Sequence, residues 1–239
     1  MKGSVRTGWI AIKFRNLGRR VGVNRVIAAF GSATVYEKSF QAALLTGLHC
    51  GDVVWDVGAN VGFYSRLLAN RVGLSGVCYS FEPSALNRAR FESTGIPENV
   101  ILLPFALGES VGTIQLIQGS DPLGATSFVV ENHADSEGEV IQVECMTGDL
   151  LVANGQVPVP QCIKIDVEGY EWEVLQGLRK TLANKRLFRV GLEVHFATLA
   201  ARGHAQRPRE IEFFLQEYGY GCRWIDYSHL LAERTRCEY

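Results

Sequence analysis

From residue 53 onward, short apolar runs alternate with amphipathic stretches, and this alternation constrains the fold more than any other feature of the chain. VVWDVG (53–58), VCYSFEP (77–83), NVILLPFAL (99–107), CIKIDV (162–167) and RVGLEVH (189–195) read as strands. Several are apolar on both faces, as strands of a parallel sheet covered by helices must be. Between them, EWEVLQGLRKTL (171–182) places Leu175, Leu178 and Leu182 at spacings of three and four. PREIEFFLQEY (208–218) carries Ile211, Phe214, Leu215 and Tyr218 on one stripe behind Pro208. Such a series predicts an α/β fold with a doubly wound sheet and right-handed crossovers. Residues 108–146 break the rhythm. TIQLI and VIQVEC predict an inserted strand pair, joined by a long polar connection that is either a lid loop over a substrate or a disordered excursion.

At 239 residues, 47% of them hydrophobic, the chain can bury a full core without metal or disulfide staples. A net charge of −1 supplies no field to draw it onto nucleic acid. Residues 1–36 nevertheless hold Lys2, Arg6, Lys13, Arg15, Arg19, Arg20 and Arg25 without one Asp or Glu. That pattern predicts a basic N-terminal helical arm (1–36) ahead of a single domain (37–239). The arm suits weak contact with an anionic membrane surface, a transit peptide, or a helix whose Trp9, Ile10, Ile12, Phe14 and Leu17 cap the domain. Six cysteines show no Cys-x-x-Cys spacing, so neither a zinc site nor a redox motif is expected. No signal peptide and no apolar run near ~20 residues is visible, and the expected location is cytoplasmic.

The first strand ends in Asp56 and breaks into Gly58-Ala59-Asn60-Val61-Gly62 before helix formers resume. Glycines let such a loop turn sharply and let a ligand approach its backbone, though a bare strand-to-helix turn reads the same way. Glu82 closes the second strand 24 residues after Gly58, where a carboxylate accepts from both hydroxyls of a nucleoside ribose. The nicotinamide dinucleotides and S-adenosylmethionine both carry that ribose. Dinucleotide loops read G-x-G-x-x-G, whereas Asn60 stands inside this one and the middle glycine is missing. S-adenosylmethionine, which has no phosphate, fits the loop better; an NAD(P)-dependent oxidoreductase is the alternative.

YEKSFQAALLTGLHCGDVVWDVGANVGFYS (36–65), IKIDVEGYEWEVLQG (163–177) and LEVH (192–195) resemble the FkbM-type S-adenosylmethionine-dependent methyltransferases, over about Tyr36 to His195. The resemblance implies a class I methyltransferase, Rossmann-like fold with a mostly parallel seven-stranded sheet. It also implies O-methylation of a hydroxyl on a small molecule such as a sugar or polyketide-type metabolite. One departure stands out. Many such sequences carry a Thr-Leu-Asp-Asp-Leu-like segment before the fourth strand, and MTGDLL (146–151) keeps Asp149 but has Gly148 where the first aspartate falls.

Methyl transfer to a hydroxyl requires alignment, exclusion of water, and removal of a proton by a base or metal. Asp56, Gly58, Asn60, Gly62, Glu82 and Asp166 are the expected cofactor-binding residues. His195, an imidazole that ordinarily titrates near neutral pH, is the first candidate base, and Asp166 the second, as base or as anchor. Alternation puts Lys164, Asp166 and Glu168 on one face, and Glu193 with His195 on another. Glu168 and Glu171 also suit a helix N-terminus, the more so for Glu171. Asp166, Glu168, Glu193 and His195 could hold a divalent ion, but their spacing matches no known motif and no metal is expected. A nucleic-acid methyltransferase is disfavoured because the fourth strand ends in DVEG, without the Asp-Pro-Pro-Tyr-like segment that engages a flipped base. A catalytically dead fold is disfavoured by the intact Asp56, Gly58, Glu82 and Asp166.

Overall fold

A computed structural model describes residues 32–118, 127–129 and 139–236. Most of the arm expected over 1–36, with its membrane contact, and most of the lid expected between TIQLI and VIQVEC lie outside the described residues.

The chain enters through α1 (Ser32–Leu45), which runs across the boundary expected at residue 36. Its Phe40 and Leu44 are buried, worth roughly 2–3 kcal/mol each. A strand–helix series follows: β1 (Val53–Val57), α2 (Phe63–Val72), β2 (Val77–Phe81), α3 (Ala85–Ser93) and β3 (Val100–Leu103). NVILLPFAL is not one strand. Pro104 has no amide hydrogen for a ladder, and the chain leaves the sheet there, resuming as β4 (Ala106–Leu107) in a second sheet. β5 (Gly112–Gln118), β6 (Ser127–Val129) and β7 (Glu139–Met146) complete it in the order β4-β7-β5-β6. The expected strand pair is thus the β5–β7 core of a four-stranded sheet.

The main sheet resumes through α4 (Gly148–Ala153), β8 (Cys162–Ile165), α5 (Glu171–Gln176), α6 (Arg179–Ala183) and β9 (Arg189–Glu193). It closes with α7 (Phe196–Ala201), α8 (Arg207–Glu217), β10 (Gly221–Trp224) and β11 (His229–Glu233). The single helix expected over 171–182 is two, divided at Gly177. A Cβ there would lie 1.9 Å from the carbonyl oxygen of Gly108, so the second sheet presses on the helix at that point.

The main sheet has seven strands in the order β10-β11-β9-β8-β1-β2-β3. β3, β2, β1, β8 and β9 pair in parallel, and β11 runs antiparallel to both neighbours. Alternation along β1 divides the core. Val54 joins Phe40, Leu44, Leu68 and Val72 on one face, while Trp55 and Val57 join Ile163, Ile165, Leu178 and Leu182 on the other. Tyr220 belongs to that second core and donates to the carbonyls of Leu182 and Leu187. Cys78, Cys145 and Cys162 are buried thiols and Cys50 is exposed; all are free. Among the described residues, no helix is long and apolar enough to cross a membrane. Because strand order reverses between β1 and β8, the loops leaving their carboxyl ends part there and open a crevice.

Candidate active site

One wall of the crevice comes from the loops after β1 and β2. Gly58 has φ 80°, and a Cβ on it would lie 1.9 Å from the carbonyl oxygen of Asp166. Gly62 has φ 83°, and its Cβ would meet the Phe91 ring at 2.2 Å. Glycine is therefore demanded at both positions by the protein's own packing. Gly58 and Ala59 donate their amides to Phe81 O, both at 3.0 Å, and Gly62 donates to Ala59 O at 2.8 Å. Asn60, left-handed at φ 51°, donates its amide to Glu82 Oε2 at 2.8 Å. Four amides of the loop are thus engaged internally, and the open nest of N–H groups that a pyrophosphate needs is not formed by them.

Glu82 is buried, and Oε1 accepts from Ser84 N at 2.9 Å and Asn87 Nδ2 at 3.4 Å. Burial raises its pKa above the ordinary carboxylate range, against the pull of these donors. Two carboxylate oxygens offer about four acceptor sites, so room remains for a hydroxyl donor. Asn60 Oδ1 is a buried acceptor with no partner. Asn60, Glu82, Asn87 and Asp166 line one cavity together with the apolar Phe81 and Leu107. An adenosyl ribose, an amine and an adenine face are the complement of that lining, and S-adenosylmethionine offers all three.

The other wall comes from the ends of β8 and β9. Asp56, fully buried, accepts from Ser65 Oγ at 2.6 Å through Oδ2, and its Oδ1 lies 3.3 Å from Lys164 Nζ. Lys164 also reaches Asp166 Oδ2 at 3.4 Å and sits 4.8 Å over the Tyr64 ring. Burial opposes its charge, but Asp56 and Asp166 outweigh that and hold its pKa above the usual lysine range. Asp56 and Lys164 therefore tie β1 to β8, and Asp56 reaches the crevice only through Lys164. Past Ile165 the alternation expected for 164–168 ends, because Glu168 turns left-handed at φ 53°. Asp166 stays with Lys164, whereas Glu168 Oε2 is carried to 3.2 Å from His195 Nε2.

His195 is buried among carboxylates. Nδ1 meets Glu171 Oε1 at 2.7 Å, and Nε2 lies 3.7 Å from Asp166 Oδ1 and 4.0 Å from Glu193 Oε1. Burial alone would lower its pKa; the bond to Glu171 and the charges of Glu168, Glu171 and Asp166 instead push it up to about 10. The ring expected to titrate near neutral pH is a cation there. Asp166 is pushed the other way from a free carboxylate, its pKa raised by desolvation and by Glu193 against the lowering effect of Lys164 and His195.

The structure thus brings Gly58, Asn60, Glu82 and Asp166 to one cavity, with His195 behind Asp166 and Gly62 turned into the core against Phe91. Sequence reasoning missed Ser65, Asn87 and the Asp226–His229 pair. His229 Nδ1 meets Asp226 Oδ2 at 2.7 Å and Nε2 lies 3.6 Å from Glu193 Oε2. Glu171 stands in the first turn of α5, as expected, but its spacing did not reveal that the side chain is fully buried and, besides accepting from Gly169 N at 2.9 Å, meets His195. Nothing but strand pairing places His229 opposite Glu193. Gly148 and Asp149 lie away from the crevice. A Cβ on Gly148 would strike Leu178 at 2.3 Å, and Asp149 accepts from the amides of Lys180 and Thr181, both at 2.8 Å, at the start of α6.

Comparison with known proteins agrees with this geometry. The model of the methyltransferase FkbM domain family matches residues 56–222. Hexuronic acid methyltransferase AglP of Haloferax volcanii is 32% identical over 161 residues, which are 66% of this chain and 62% of that protein. The chain therefore spans less than two thirds of the curated relative it matches. The crystal structure of methyltransferase FkbM from Methylobacillus flagellatus superposes with a TM-score of 0.53 at 14% identity, over 78% of this chain and 44% of that one. The architecture is the Rossmann-like class I methyltransferase fold.

Proposed function

Because the chain belongs to the FkbM methyltransferase family, we propose that it transfers a methyl group to an oxygen of a hydroxylated, sugar-type small molecule. The cofactor is S-adenosylmethionine, which supplies an electrophilic methyl group on a sulfonium. The observation that carries the reading is the state of the glycine loop. Its amides at Gly58, Ala59, Asn60 and Gly62 are engaged within the protein, so it holds a nucleoside by side chains rather than a pyrophosphate by backbone. The same observation disfavours an NAD(P)-dependent oxidoreductase.

In this reading Glu82 accepts from the ribose hydroxyls and Asn60 Oδ1 takes a donor that nothing else among the described residues supplies. Gly58 lets the loop pass against Asp166, which brings the nucleoside wall and the charged wall within one ligand's length. Asp166 and His195 face the acceptor. His195 carries its proton at neutral pH, so the acceptor's proton passes to a carboxylate of the cluster and the imidazolium offsets the charge that develops. Support for a sugar acceptor comes from the hexuronic acid methyltransferase relative. The surplus of carboxylates in the wall favours a neutral hydroxyl over a carboxylate as the attacking group.

Calorimetric titration with S-adenosylhomocysteine beside NAD and NADP tests the cofactor. Binding of the homocysteine nucleoside alone is expected; binding of a dinucleotide would overturn the assignment. Incubation with S-adenosylmethionine and a panel of neutral sugars and hexuronic acids, read by mass spectrometry, then tests the acceptor. Gain of one methylene unit on oxygen is expected, and methylation confined to amines or thiols would sink the oxygen assignment.

A further inference from the structure

We propose that β5 of the second sheet covers the adenine base of the cofactor, with Leu116 laid against the base and Gln118 fastening the strand to Ser84. This rests on the methyltransferase reading, and it gives a task to a sheet that stands apart from the seven main strands.

The first argument is which sheet supplies which part of the lining. The carboxylates and carboxamides of the cavity, on Asn60, Glu82, Asn87, Asp166 and Glu168, all follow strands of the main sheet. What β4 and β5 contribute is Ala106, Leu107, Ile114 and Leu116, and all four are apolar. Within S-adenosylmethionine only the purine presents two broad apolar faces. The ribose and the amino acid tail are edged with donors, acceptors and charge. An apolar cover from the second sheet therefore suits the base.

The second argument is direction. In an adenosyl group the base leaves the ribose at C1′ and the tail leaves from C4′, on either side of the two hydroxyls. With those hydroxyls on Glu82 and the tail running toward Asp166, the base is sent away from the charged wall. β5 spans that line. Its Gly112 pairs with Cys145, and a Cβ on Gly108 would lie 2.7 Å from Cys145 Sγ and 3.1 Å from the Tyr170 ring, so the strand begins beside Tyr170. It ends at the nucleoside wall, where Gln118 Nε2 donates to Ser84 Oγ at 2.6 Å. Alternation puts Ile114, Leu116 and Gln118 on one face, and two residues of strand cover about 7 Å. Leu116 thus lies toward the Ser84 end of the cavity and Ile114 toward Tyr170.

The third argument is what Gln118 is fastened to. Ser84 donates its amide to Glu82 Oε1 at 2.9 Å and caps α3 by accepting from Asn87 N at 3.3 Å. Asn87 Nδ2 returns to the same Glu82 oxygen at 3.4 Å. The cover is therefore tied to the residues that hold the ribose carboxylate, and loosening β5 loosens the grip on one and the same ligand.

The test is hydrogen exchange of the full chain with and without saturating S-adenosylhomocysteine, joined to calorimetric affinities of three variants read well below their unfolding midpoints. Saturation should slow exchange in residues 112–118 by at least about tenfold, and by more than in β10 at the far edge of the main sheet, which reports general stabilisation. Leu116→Ala should weaken affinity about tenfold or more, the value of a buried leucine contact. Gln118→Leu should weaken it about three- to tenfold, the value of one neutral hydrogen bond. Val140→Ala, at an exposed position of β7 that does not line the cavity, should stay within about twofold. Bound nucleoside that leaves exchange in 112–118 unchanged overturns the cover, as does a folded Leu116→Ala variant with wild-type affinity. An equal loss in Val140→Ala overturns it too, because the effect would then belong to the stability of the sheet. If the wild-type chain takes up no S-adenosylhomocysteine, the methyltransferase reading falls and the cover falls with it; nucleoside binding without the β5 effects removes the cover alone.

Discussion

The two walls of the crevice are built on opposite principles. The wall after β1 and β2 is closed by backbone: the Glu82 carboxylate is held by the amides of Asn60 and Ser84, and the glycine loop bonds to itself and to Phe81. The wall after β8 and β9 is made of side-chain charge. There Asp166, Glu168, Glu171 and Glu193 gather around His195, and Lys164 reaches only Asp166 among them. Backbone donors fix a geometry before any ligand arrives. Side chains crowded around one imidazole keep more freedom to adjust when a ligand arrives. In the proposed function this contrast gives a preorganised wall for the constant nucleoside and an adjustable, charged wall for the acceptor.

The largest test of this comparison is the joint between the walls. Gly58→Ala places a methyl group 1.9 Å from the Asp166 carbonyl oxygen at φ 80°. Strain and overpacking together should cost about 3–5 kcal/mol. Gly155→Ala is the control, since Gly155 is also left-handed (φ 69°) but has nothing within 4 Å of its would-be Cβ, and it should lose only about 1 kcal/mol. Denaturant midpoints compare the two. Equal losses would mean that the walls are not locked at Gly58.

The charged wall predicts a loss of rate rather than of binding. His195→Gln keeps a donor toward Glu171 but removes the cation, so turnover should fall on the order of 100-fold or more. Affinity for S-adenosylhomocysteine should stay within about twofold, because His195 is not among the cavity-lining residues that carry the nucleoside. A matching loss of nucleoside affinity would merge the two walls into one site.

Glu82→Gln strikes the first wall. One acceptor oxygen is lost, and an NH₂ is set against the amide of Ser84 or of Asn60. Nucleoside affinity should weaken about 10- to 100-fold, the value of a hydrogen bond to a charged group. Because the same carboxylate ties β2 to the glycine loop, the variant should also melt earlier, so affinity is to be measured well below its unfolding midpoint. Unchanged affinity would remove Glu82 from the nucleoside site.

How far each wall was legible in the sequence follows from the same contrast. Asp56, Gly58, Asn60 and Glu82 lie on two consecutive strand ends, where alternation and turn chemistry are local signals. The parallel order and the apolar runs were legible for the same reason. Glu171 read as an anion at a helix start, because one-dimensional spacing cannot place it under an imidazole 24 residues away. NVILLPFAL read as one strand although Pro104 divides it, because the second sheet that takes up its far end holds β4 through β7, a strand some forty residues later. Gly177 looked like a helical residue because the obstacle that requires glycine there is a carbonyl of Gly108. His229 enters only through antiparallel pairing of β11 with β9. Long-range register, not propensity, decides each of these.

That last pairing carries the smallest expected effect. His229 lies between Asp226 and Glu193, with the Phe40 ring stacked 4.2 Å from its own. Burial opposes its charge, but the bonds to Asp226 and Glu193 outweigh it and raise its pKa from 6.5 to about 9, while Asp226 is lowered by the same pair. A raised histidine pKa means that the folded state binds the proton more tightly than the unfolded chain. The stabilisation is therefore complete below about pH 6.5 and is lost as pH climbs through about 9. Asp226 adds the mirror limit, a contribution lost as pH falls below the ordinary aspartate range. The histidine shift bounds the effect at about 3 kcal/mol, and contact with water at this sheet end leaves on the order of 1 kcal/mol. Melting curves of wild type and His229→Gln from pH 6 to 10 isolate it, because His195 titrates in both proteins and cancels in the difference. The gap between the curves should be widest near pH 6 and close toward pH 10. A gap that is constant with pH would show that His229 acts by packing on Phe40 alone, and the charged wall would then end at Glu193.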